Sequence, residues 1–508
     1  MSGSPFARIR NGGALPLAKL PEADFDAFRG ALLAELAAGR RLVSFFAAPV
    51  EGAAAELWAV VAEDGAGTLA IARTTLVDAR FPSLTPAAPQ AHLFEREMAE
   101  QLGLKPQGHP WWKPVRYRSS WRPGHDAWGR KEGDPILPAV GDFFRVEGSE
   151  VHEVAVGPVH AGVIEPGHFR FQCHGEKVFH LEIALGFQHR GVEESLLGGP
   201  HRHTVARMET LAGDTTVGHA TAYAQALEAL SGTAVPPRAQ VLRGIALELE
   251  RLANHTGDLG ALAGDVGFLP TASFCGRLRG DFLNMTALLA GNRFGRGLVR
   301  EGGTLVDADE AMLADLARRL EETMKDLRGA VELLFATATV TARFEGAGRV
   351  DPATAESLGL VGPAARACGI DQDVRRDHPT GVFRFAHVPV MTAHDGDVHA
   401  RAYVRWLEAQ RSHDFVKAQL AALPKGPARN SPKTPRPEHV AVSLVEGWRG
   451  EVAHVAVTGA DGRFARYKVV DPSFHNWMGL AMALRNEEIS DFPLCNKSFN
   501  LSYCGHDL

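Results

Sequence analysis

The sequence predicts an α+β protein, in which a small N-terminal α+β domain precedes a large, mainly α-helical domain. Three observations predict this class: an early helical segment followed by short apolar runs, a Gly-, Pro- and charge-rich segment near residue 130, and helical periodicity through most of the remaining chain. A chain of 508 residues can bury more than one core. We predict domains at 1–120 and 146–508, joined by a linker at 121–145.

The first domain is predicted from its alternation of patterns. Residues Glu22–Arg40 have a helical period after an acidic start. The runs RLVSFF, LWAVVAE and TLAIART follow, separated by Gly and Asp turn signals, and they predict strands. A helix followed by such runs favours a helix packed on an antiparallel sheet.

The second domain is predicted from longer periods. Arg238–His255 places one apolar stripe on a helix, formed by Leu242, Ile245, Leu249 and Leu252. Another helix is expected after Asp307 or Asp309 as the N-cap and should continue through Val331. The Pro-rich segment Lys425–His439 is predicted to be an exposed loop.

Composition narrows the possible partners and location. The net charge of -6 offers no basic surface for phosphate backbones, so no nucleic-acid partner is expected. The five cysteines are scattered, which argues against a disulfide framework. No apolar segment is long enough for a secretory signal or a spanning helix, so we expect a cytoplasmic protein attached to the membrane through partner subunits.

The densest group of titratable residues is HGEKVFHLEIALGFQHRGVEE, which contains His189, Arg190 and Glu193. Imidazoles and carboxylates this close can relay protons, because histidine titrates near neutral pH and burial can raise the pKa of a glutamate into the same range. The alternative is a solvated turn with one buried ion pair.

A second group, GPAARACGIDQDVRRDHPTG, contains Asp373, Arg375 and His378. Alternating charges in a loop usually form surface salt bridges of little energetic value. If they were buried, they would form a structural or proton-carrying network.

Motifs for common cofactors do not occur. The sequence has no G-x-G-x-x-G after a predicted strand, no Walker loop and no G-x-S-x-G. The pair His201 and His203 would need at least one more ligand to hold zinc. These observations argue against dinucleotide, P-loop, α/β-hydrolase and catalytic zinc sites.

Several separated stretches occur in the order of one known family: GPVHAGVIEPGHFRFQCHGEKVFHLEIALGFQHRGVEE, HATAYAQALEAL, LRGIALELERLANHTGDLG, VGPAARACGIDQDVRRDHP, GDVHARAYVR and ISDFPLCNKSF. They resemble the large subunit of membrane-bound nickel–iron hydrogenases of the hydrogenase-4 and formate hydrogenlyase type, which is homologous to the 49-kDa-type subunit of respiratory complex I. The stretch FPSLTPAAPQAHLFEREMAEQLGLKPQGHPWWKPVR resembles the 30-kDa-type subunit of complex I. The predicted domains therefore resemble these two subunits, in that order.

The chain departs from the hydrogenase pattern where that family holds its metals. Four cysteine thiolates bind nickel and iron there, and the resemblance aligns their positions with Ala212, Thr215, Ser502 and Gly505. Nickel and low-spin iron need soft, anionic sulfur donors at this site. We therefore expect no metal site and no hydrogen chemistry in this chain.

The resemblance implies a different use for the site. Complex I places a quinone headgroup there, so quinone or another small acceptor is the expected ligand, and the candidate binding residues are His160, His168, Thr215 and His219. No cofactor is assigned to this chain itself, and iron–sulfur clusters are expected on partner subunits. The implied partners are an iron–sulfur small subunit of the complex I 20-kDa type, a ferredoxin-like subunit and membrane antiporter-like subunits.

The resemblance also suggests roles for the charged groups. Glu193 falls where family hydrogenases carry a proton-transfer glutamate, so it is expected to be a relay with a raised pKa, positioned and neutralised by Arg190, Arg375 and Arg401. His189, Asp373 and His378 complete the predicted relay. The predicted function is electron transfer coupled to proton movement in a membrane-associated complex. The alternatives are a non-catalytic structural subunit, an NADH-quinone oxidoreductase subunit and an active hydrogenase subunit.

Overall fold

The computed structural model describes residues 4–139, 141–160 and 164–508. It confirms the predicted α+β class, with 43% helix and 18% strand. The predicted early helix is present as Phe25–Ala37, and Asp24 caps it by accepting a hydrogen bond from the Ala27 backbone N–H. The three predicted strands pair in antiparallel order.

The N-terminal region is built from short strands and two helices. In chain order these elements are β1 Ala7–Ile9, β2 Gly13–Pro16, α1 Phe25–Ala37, β3 Arg41–Ala48, β4 Ala55–Glu63, β5 Thr68–Leu76, β6 Arg80–Pro82, α2 His92–Leu102 and β7 Lys105–Gln107. One sheet has the strand order β1-β5-β4-β3.

The rest of the chain is mainly helical, with strands at both ends. Its elements are β8 Val151–Val156, β9 His168–His174, β10 Lys177–Ala184, α3 Thr204–Met208, α4 Thr216–Ser231, α5 Pro237–Asp265, α6 Leu269–Ala290, β11 Val299–Arg300, β12 Gly303–Thr304, α7 Glu310–Ala336, α8 Ala338–Phe344, α9 Pro352–Leu358, α10 Gly362–Arg366, α11 Val374–Asp377, α12 Val398–Ala421, β13 His439–Gly447, β14 Gly450–Thr458, β15 Phe464–Val470, α13 Pro472–Ala483, α14 Phe492–Phe499 and α15 Tyr503–His506.

The long helices form the main core, as their periodicity predicts. The four leucine and isoleucine residues of the predicted α5 stripe are buried. α7 begins at Asp309, whose side chain accepts a hydrogen bond from the Met312 backbone N–H over 2.8 Å. The buried face of α7 includes Leu316, Leu320, Met324, Leu327 and Val331.

A second sheet joins the two ends of the chain. Its strand order is β15-β14-β13-β2, so a strand from the first hundred residues pairs with one that begins at His439. One apolar cluster likewise combines Phe45 and Trp58 with Val442 and Val455. The two predicted domains therefore share a packed boundary, and their exact limits stay a prediction.

The predicted loops carry little regular structure. Between β7 and β8, the described residues form no helix or strand, and this stretch includes the predicted linker. The segment before β13 is irregular and mostly exposed, as expected from its prolines. Among the helices that the structure describes, none is both long and apolar enough to cross a membrane.

Candidate functional site

Arg449, in the turn between β13 and β14, joins the start of α4 to the C-terminal tail. Its Nη2 donates to Asp214 Oδ2 over 2.7 Å and its Nη1 to Thr215 Oγ1 over 3.3 Å. Its Nε donates to the backbone oxygen of Asn500. The guanidinium also lies over the ring of Trp448, 3.9 Å from its centroid. A single buried arginine thus connects the two segments in which the resemblance places the lost thiolates.

The residues at those positions do not fit a nickel–iron centre. A side chain at Gly505 would place its Cβ 2.6 Å from Asp471 Cγ, so a carboxylate takes the space that a thiolate would need. Ser502 Oγ is used to accept the Gly505 backbone N–H over 2.9 Å. Within the described residues, no group of three or more His, Cys, Asp or Glu side chains is arranged to hold a metal ion.

Asp471 belongs to a buried chain of hydrogen bonds that includes the predicted ligand residue His219. Its Oδ2 lies 3.0 Å from His219 Nε2. His219 Nδ1 lies 3.1 Å from His454 Nε2, and His454 Nδ1 lies 2.8 Å from the hydroxyl of Tyr467. Burial lowers the pKa of His454 well below its usual value. Both ring nitrogens of His219 therefore have partners within the protein.

The four predicted acceptor residues occupy two places. Thr215 and His219 lie at the start of α4, whereas His160 and His168 lie in the β8–β9 loop and at the first residue of β9. His168 Nδ1 contacts the Gly157 backbone oxygen over 3.2 Å, and its Nε2 accepts from Arg170. By contrast, His160 Nε2 is buried and has no hydrogen-bond partner among the described residues. Of the four, His160 has a buried ring nitrogen left for a ligand.

Glu193 lies in a group that we call the Glu193 cluster: Glu97, Arg116, Glu193, Arg466 and Lys468. Glu193 is 1% exposed. It accepts from Lys468 Nζ over 2.8 Å and from Arg466 Nη2 over 2.9 Å. Lys468 also pairs with Glu97 over 2.7 Å, and Arg116 donates to Glu97. Two carboxylates therefore face three cations.

This geometry corrects the expected pKa of Glu193. Burial alone would raise it, but the charges of Lys468 and Arg466 outweigh burial and hold the pKa well below its usual range. The predicted partners were also wrong, because Arg190, Arg375 and Arg401 bind elsewhere. Arg190 donates to the backbone oxygens of residues 210 and 211, and Arg401 donates to Ser498 and to backbone oxygens.

His189 lies beside the C-terminal tail. Its Nε2 contacts Arg118 Nη1 over 2.6 Å, and its Nδ1 lies 3.3 Å from the Asp507 backbone oxygen. Burial, followed by the charges of Arg116 and Arg118, lowers the pKa of His189 to about 4. The imidazole is therefore neutral at physiological pH.

Asp373 and Arg375 belong to a larger buried group that we call the Glu446 cluster: Glu248, Arg251, Arg366, Asp373, Arg375, Glu408 and Glu446. Arg375 pairs with Asp373 over 2.6 Å and with Glu248 over 3.0 Å. Arg366 pairs with Glu408 over 2.8 Å and with Glu446 over 2.9 Å. These side chains are all buried, so Asp373 and Arg375 belong to the buried network that was one of the two predictions, whereas Arg376 pairs with Asp371 at the surface.

The Glu446 cluster holds one more carboxylate than it has guanidiniums. Glu408 also contacts His255 Nε2 over 2.8 Å, but burial lowers the pKa of His255 and keeps it neutral. Burial, followed by the charge of Asp373, raises the pKa of Glu446 to about 7. The cluster can therefore gain or lose a proton near neutral pH.

His378 is turned away from this cluster. Its Nε2 lies 2.9 Å from Asp64 Oδ1, and Asp64 pairs with Arg41 over 2.8 Å. Burial opposes ionisation of Asp64, but Arg41 and His378 lower its pKa overall. His378 thus links the C-terminal region to the N-terminal sheet.

A cavity of about 340 Å³ reaches the Glu446 cluster from the surface. Its wall includes Arg375 and Glu446 of the cluster, and Phe385 on its wall is 87% exposed. Gln225 and Thr380 lie on the wall between them and are joined by a 3.0 Å hydrogen bond. The cavity offers a route by which protons can pass between solvent and Glu446.

Glu250 is a second buried carboxyl with a shifted pKa. It accepts the backbone N–H groups of Val217 over 2.7 Å and Gly218 over 3.2 Å, and it forms no ion pair with any residue that the structure describes. Burial raises the pKa of Glu250 to about 8. A cavity of about 10 Å³ between Glu250 and Asp214 has about the size needed for one water molecule.

Glu250 was not found from the sequence, and no role was predicted for Glu446 or Arg449. Glu250 lies within the helical segment Arg238–His255, whose period marks it only as a helix position. Glu446 and Arg449 lie in the short stretch VEGWRGE, whose charges resemble an ordinary hairpin end. One signal in the sequence could have identified Glu446. It is a charged residue inside an apolar strand, where a carboxylate must be paired or protonated.

Family models match both parts of the chain. The model of the 49 kDa subunit of the respiratory-chain NADH dehydrogenase matches residues 265–441, and that of the 30 kDa subunit matches residues 62–131. These matches agree with the two-part resemblance predicted from the sequence.

Curated relatives cover most of the chain. Formate hydrogenlyase subunit 5 of Escherichia coli is 30% identical over 83% of this chain and 76% of its own length. Carbon monoxide-induced hydrogenase of Rhodospirillum rubrum is 32% identical over 69% of this chain and 97% of its own length. NADH-quinone oxidoreductase subunit 4 of Thermus thermophilus is 29% identical over 68% of this chain and 90% of its own length.

Proposed function

The chain belongs to the family of large subunits that hydrogenases share with NADH-quinone oxidoreductase, and we propose that it couples electron transfer to proton movement without a nickel–iron centre. It acts as one subunit of a membrane-associated oxidoreductase complex. The observation that carries this proposal is the pair of buried carboxyls, Glu446 and Glu250, whose pKa values of about 7 and 8 allow proton exchange at physiological pH.

The packing at Gly505 supports a reaction without nickel and iron. The Asp471 carboxylate fills the space beside Gly505, and the Arg449 guanidinium donates to Thr215 Oγ1, at two of the positions where the resemblance places thiolates. Both groups are tied into internal hydrogen bonds, so a metal could enter only if they were displaced. Hydrogen evolution or uptake is accordingly not part of the proposed activity.

Connections between buried groups support proton movement. Glu446 shares Arg366 with Glu408, and Glu408 reaches His255, whose ring packs edge-on against Trp448 at 6.2 Å. Trp448 donates to the backbone oxygen of Asp214, next to Thr215. The proposed proton route therefore runs from the surface cavity through the Glu446 cluster to His255, and Trp448 separates His255 from the start of α4.

His160 is the residue that best supports acceptor binding. Its unpartnered Nε2 can donate to or accept from a carbonyl or hydroxyl oxygen, which suits a quinone headgroup or a similar acceptor. Electrons would reach the acceptor from iron–sulfur clusters on a partner subunit. Attachment to the membrane would run through antiporter-like partners.

One observation favours a structural subunit as the second candidate. The polar atoms of Thr215, His219 and Asp471 all have partners within the protein, which leaves them no free atom for a substrate. A scaffold of this kind would need the Glu446 cluster only for stability. The two candidates differ in what happens when Glu446 can no longer exchange a proton.

The test uses the complete complex with its native partner subunits. Glu446→Gln keeps the side-chain shape but cannot carry a proton. We expect at least a tenfold loss of protons moved across the membrane per electron transferred to a soluble quinone, beyond the one proton per electron that quinol formation itself consumes. Glu332→Gln, at an exposed position on α7, is the matched control and should be unaffected. Unchanged coupling in Glu446→Gln would favour the scaffold, and stoichiometric nickel in the purified complex would contradict the metal-free proposal.

A further inference from the structure

A small cavity lies where the first two turns of α2 meet β10, α13 and the C-terminal tail. Its volume is about 40 Å³, and its lining includes His92, Arg96, Lys113, Glu182 and His506. None of these residues belongs to the route proposed for protons. Within the described residues, the cavity combines a buried charge that has no ion-pair partner with polar atoms that have no hydrogen-bond partner.

Arg96 supplies the buried charge, and its guanidinium lies over the ring of Trp111, 4.3 Å from the centroid. Arg96 is 6% exposed. Its Nε donates to the Lys113 backbone oxygen and its Nη2 to the Pro114 backbone oxygen, each over 2.8 Å. Its Nη1 is buried without a partner, and no carboxylate in the described part of the chain lies within ion-pair distance of the guanidinium. Burial lowers the pKa of Arg96 to about 10, so the side chain stays charged at neutral pH.

His92 lies one helical turn before Arg96, and residues four apart share a helix face. Its Nδ1 is also buried and has no partner among the described residues. Burial lowers the pKa of His92 well below its usual value, so the ring is neutral and can present an N–H from Nδ1.

The other lining groups do not cancel the charge of Arg96. Lys113 and Glu182 pair with each other and leave no net charge. Burial lowers the pKa of His506 and raises that of Tyr117 to about 12, so both are neutral at physiological pH. The lining therefore carries one net positive charge. A buried charge of this kind is costly unless an anion accompanies it.

We propose that this cavity binds a small monovalent anion through Arg96 Nη1 and His92 Nδ1. A water molecule needs about 10–15 Å³ of such space, so about 40 Å³ suits an anion of about three or four heavy atoms or a halide with a water. Bicarbonate, a small carboxylate and a halide share the required charge and size.

The test measures the thermal stability of the full chain in sodium bromide, bicarbonate or acetate against sodium gluconate at equal ionic strength. Gluconate is monovalent but too large for the cavity. A ligand that binds only the folded chain raises Tm with concentration, so we expect a rise with at least one small anion. Arg96→Met should lose this rise, whereas Arg80→Met, which removes an exposed arginine, should keep it.

Two further measurements cover the case in which Arg96→Met does not fold. His92→Leu removes one donor and should weaken anion binding about tenfold. Crystals of the unaltered chain grown with bromide should show an anomalous peak within hydrogen-bonding distance of Arg96 Nη1. Equal Tm values in small anions and gluconate, or a water alone in the cavity, would overturn the proposal.

Discussion

The Glu193 cluster and the Glu446 cluster are both buried and densely charged, but their charge balance is opposite. In the first, two carboxylates face three cations, and Glu193 is held ionised. In the second, four carboxylates face three guanidiniums, and the pKa of Glu446 rises to about 7. The balance of buried charges, and not their density along the sequence, decides which carboxyl can exchange a proton near neutral pH.

Glu250 extends the comparison to a carboxyl without any ion pair in the described structure. Two backbone N–H groups favour its ionised form, but burial outweighs them and its pKa reaches about 8. The pKa therefore rises from Glu193 to Glu446 to Glu250, because progressively less positive charge compensates the carboxylate. Substitutions along this series test the comparison.

The largest effect is expected from Glu193→Gln. Removing one partner of a buried ion pair leaves Lys468 and Arg466 undercompensated, which should cost about 3–5 kcal/mol of unfolding free energy at pH 7. Because the folded pKa of Glu193 is lowered, its stabilisation is present above about pH 4.3 and is lost as the pH falls further. Urea denaturation at pH 7 measures the loss.

Glu194→Gln is the control for this substitution. Glu194 is the next residue, and its carboxylate pairs with Arg118 at the surface. An exposed pair contributes about 0–1 kcal/mol, so Glu194→Gln should change stability little. Equal effects of the two substitutions would show that Glu193 is not the buried ionised partner described above.

The same contrast separates the features that the sequence could predict from those that it could not. The helices α1, α5 and α7 and the strands β3, β4 and β5 follow local periodicity, and all were predicted. Glu193 was assigned to Arg190, Arg375 and Arg401, whereas its partners Arg466 and Lys468 lie on β15. Local spacing cannot predict such a pair, because the sheet that presents β15 forms only when distant segments pack together.

Part of the candidate site was missed in the sequence for the same reason. Charge-rich segments marked Asp373 and Arg375, which do belong to a buried network. They did not mark Glu250, because one glutamate within a helical period resembles any solvated helix position. The pKa of Glu250 depends on the packing of α5 against the start of α4, which no local pattern specifies.

The next largest effect is expected from Glu250→Gln, and it concerns pH dependence. A carboxyl with a raised folded pKa keeps a proton that the unfolded chain releases, so stability falls as the pH rises from about 5 to 8. With a pKa of about 8, the fall should be roughly 3–4 kcal/mol. Glu250→Gln should flatten this slope, and the exposed control Glu332→Gln should keep it. A slope unchanged in Glu250→Gln, measured by urea denaturation across this range, would contradict the assignment.

A smaller pH effect of the same sign is expected from Glu446→Gln. The pKa of about 7 predicts a fall of roughly 2–3 kcal/mol between about pH 5 and 7, which the substitution should remove. Infrared spectroscopy should show the carbonyl stretches of protonated Glu446 and Glu250 at pH 6, and Glu446→Gln should lose the band that disappears at the lower pH, near 7. Asp373→Asn removes the nearest negative charge and should lower the pKa at which this band disappears. A band unaffected by either change would place the proton on another group.

The smallest effect is expected from Arg190→Gln, which separates sequence proximity from spatial contact. Arg190 is exposed and donates to two backbone oxygens, so its loss should cost less than about 1 kcal/mol and leave proton-coupled electron transfer unchanged. Arg466→Gln removes a fully buried partner of Glu193 and should cost about 3–5 kcal/mol. Denaturation midpoints and coupled turnover of the two variants measure both effects. A large loss in Arg190→Gln with little change in Arg466→Gln would mean that Arg190 compensates the charge of Glu193. The charge balance assigned to the Glu193 cluster would then be wrong.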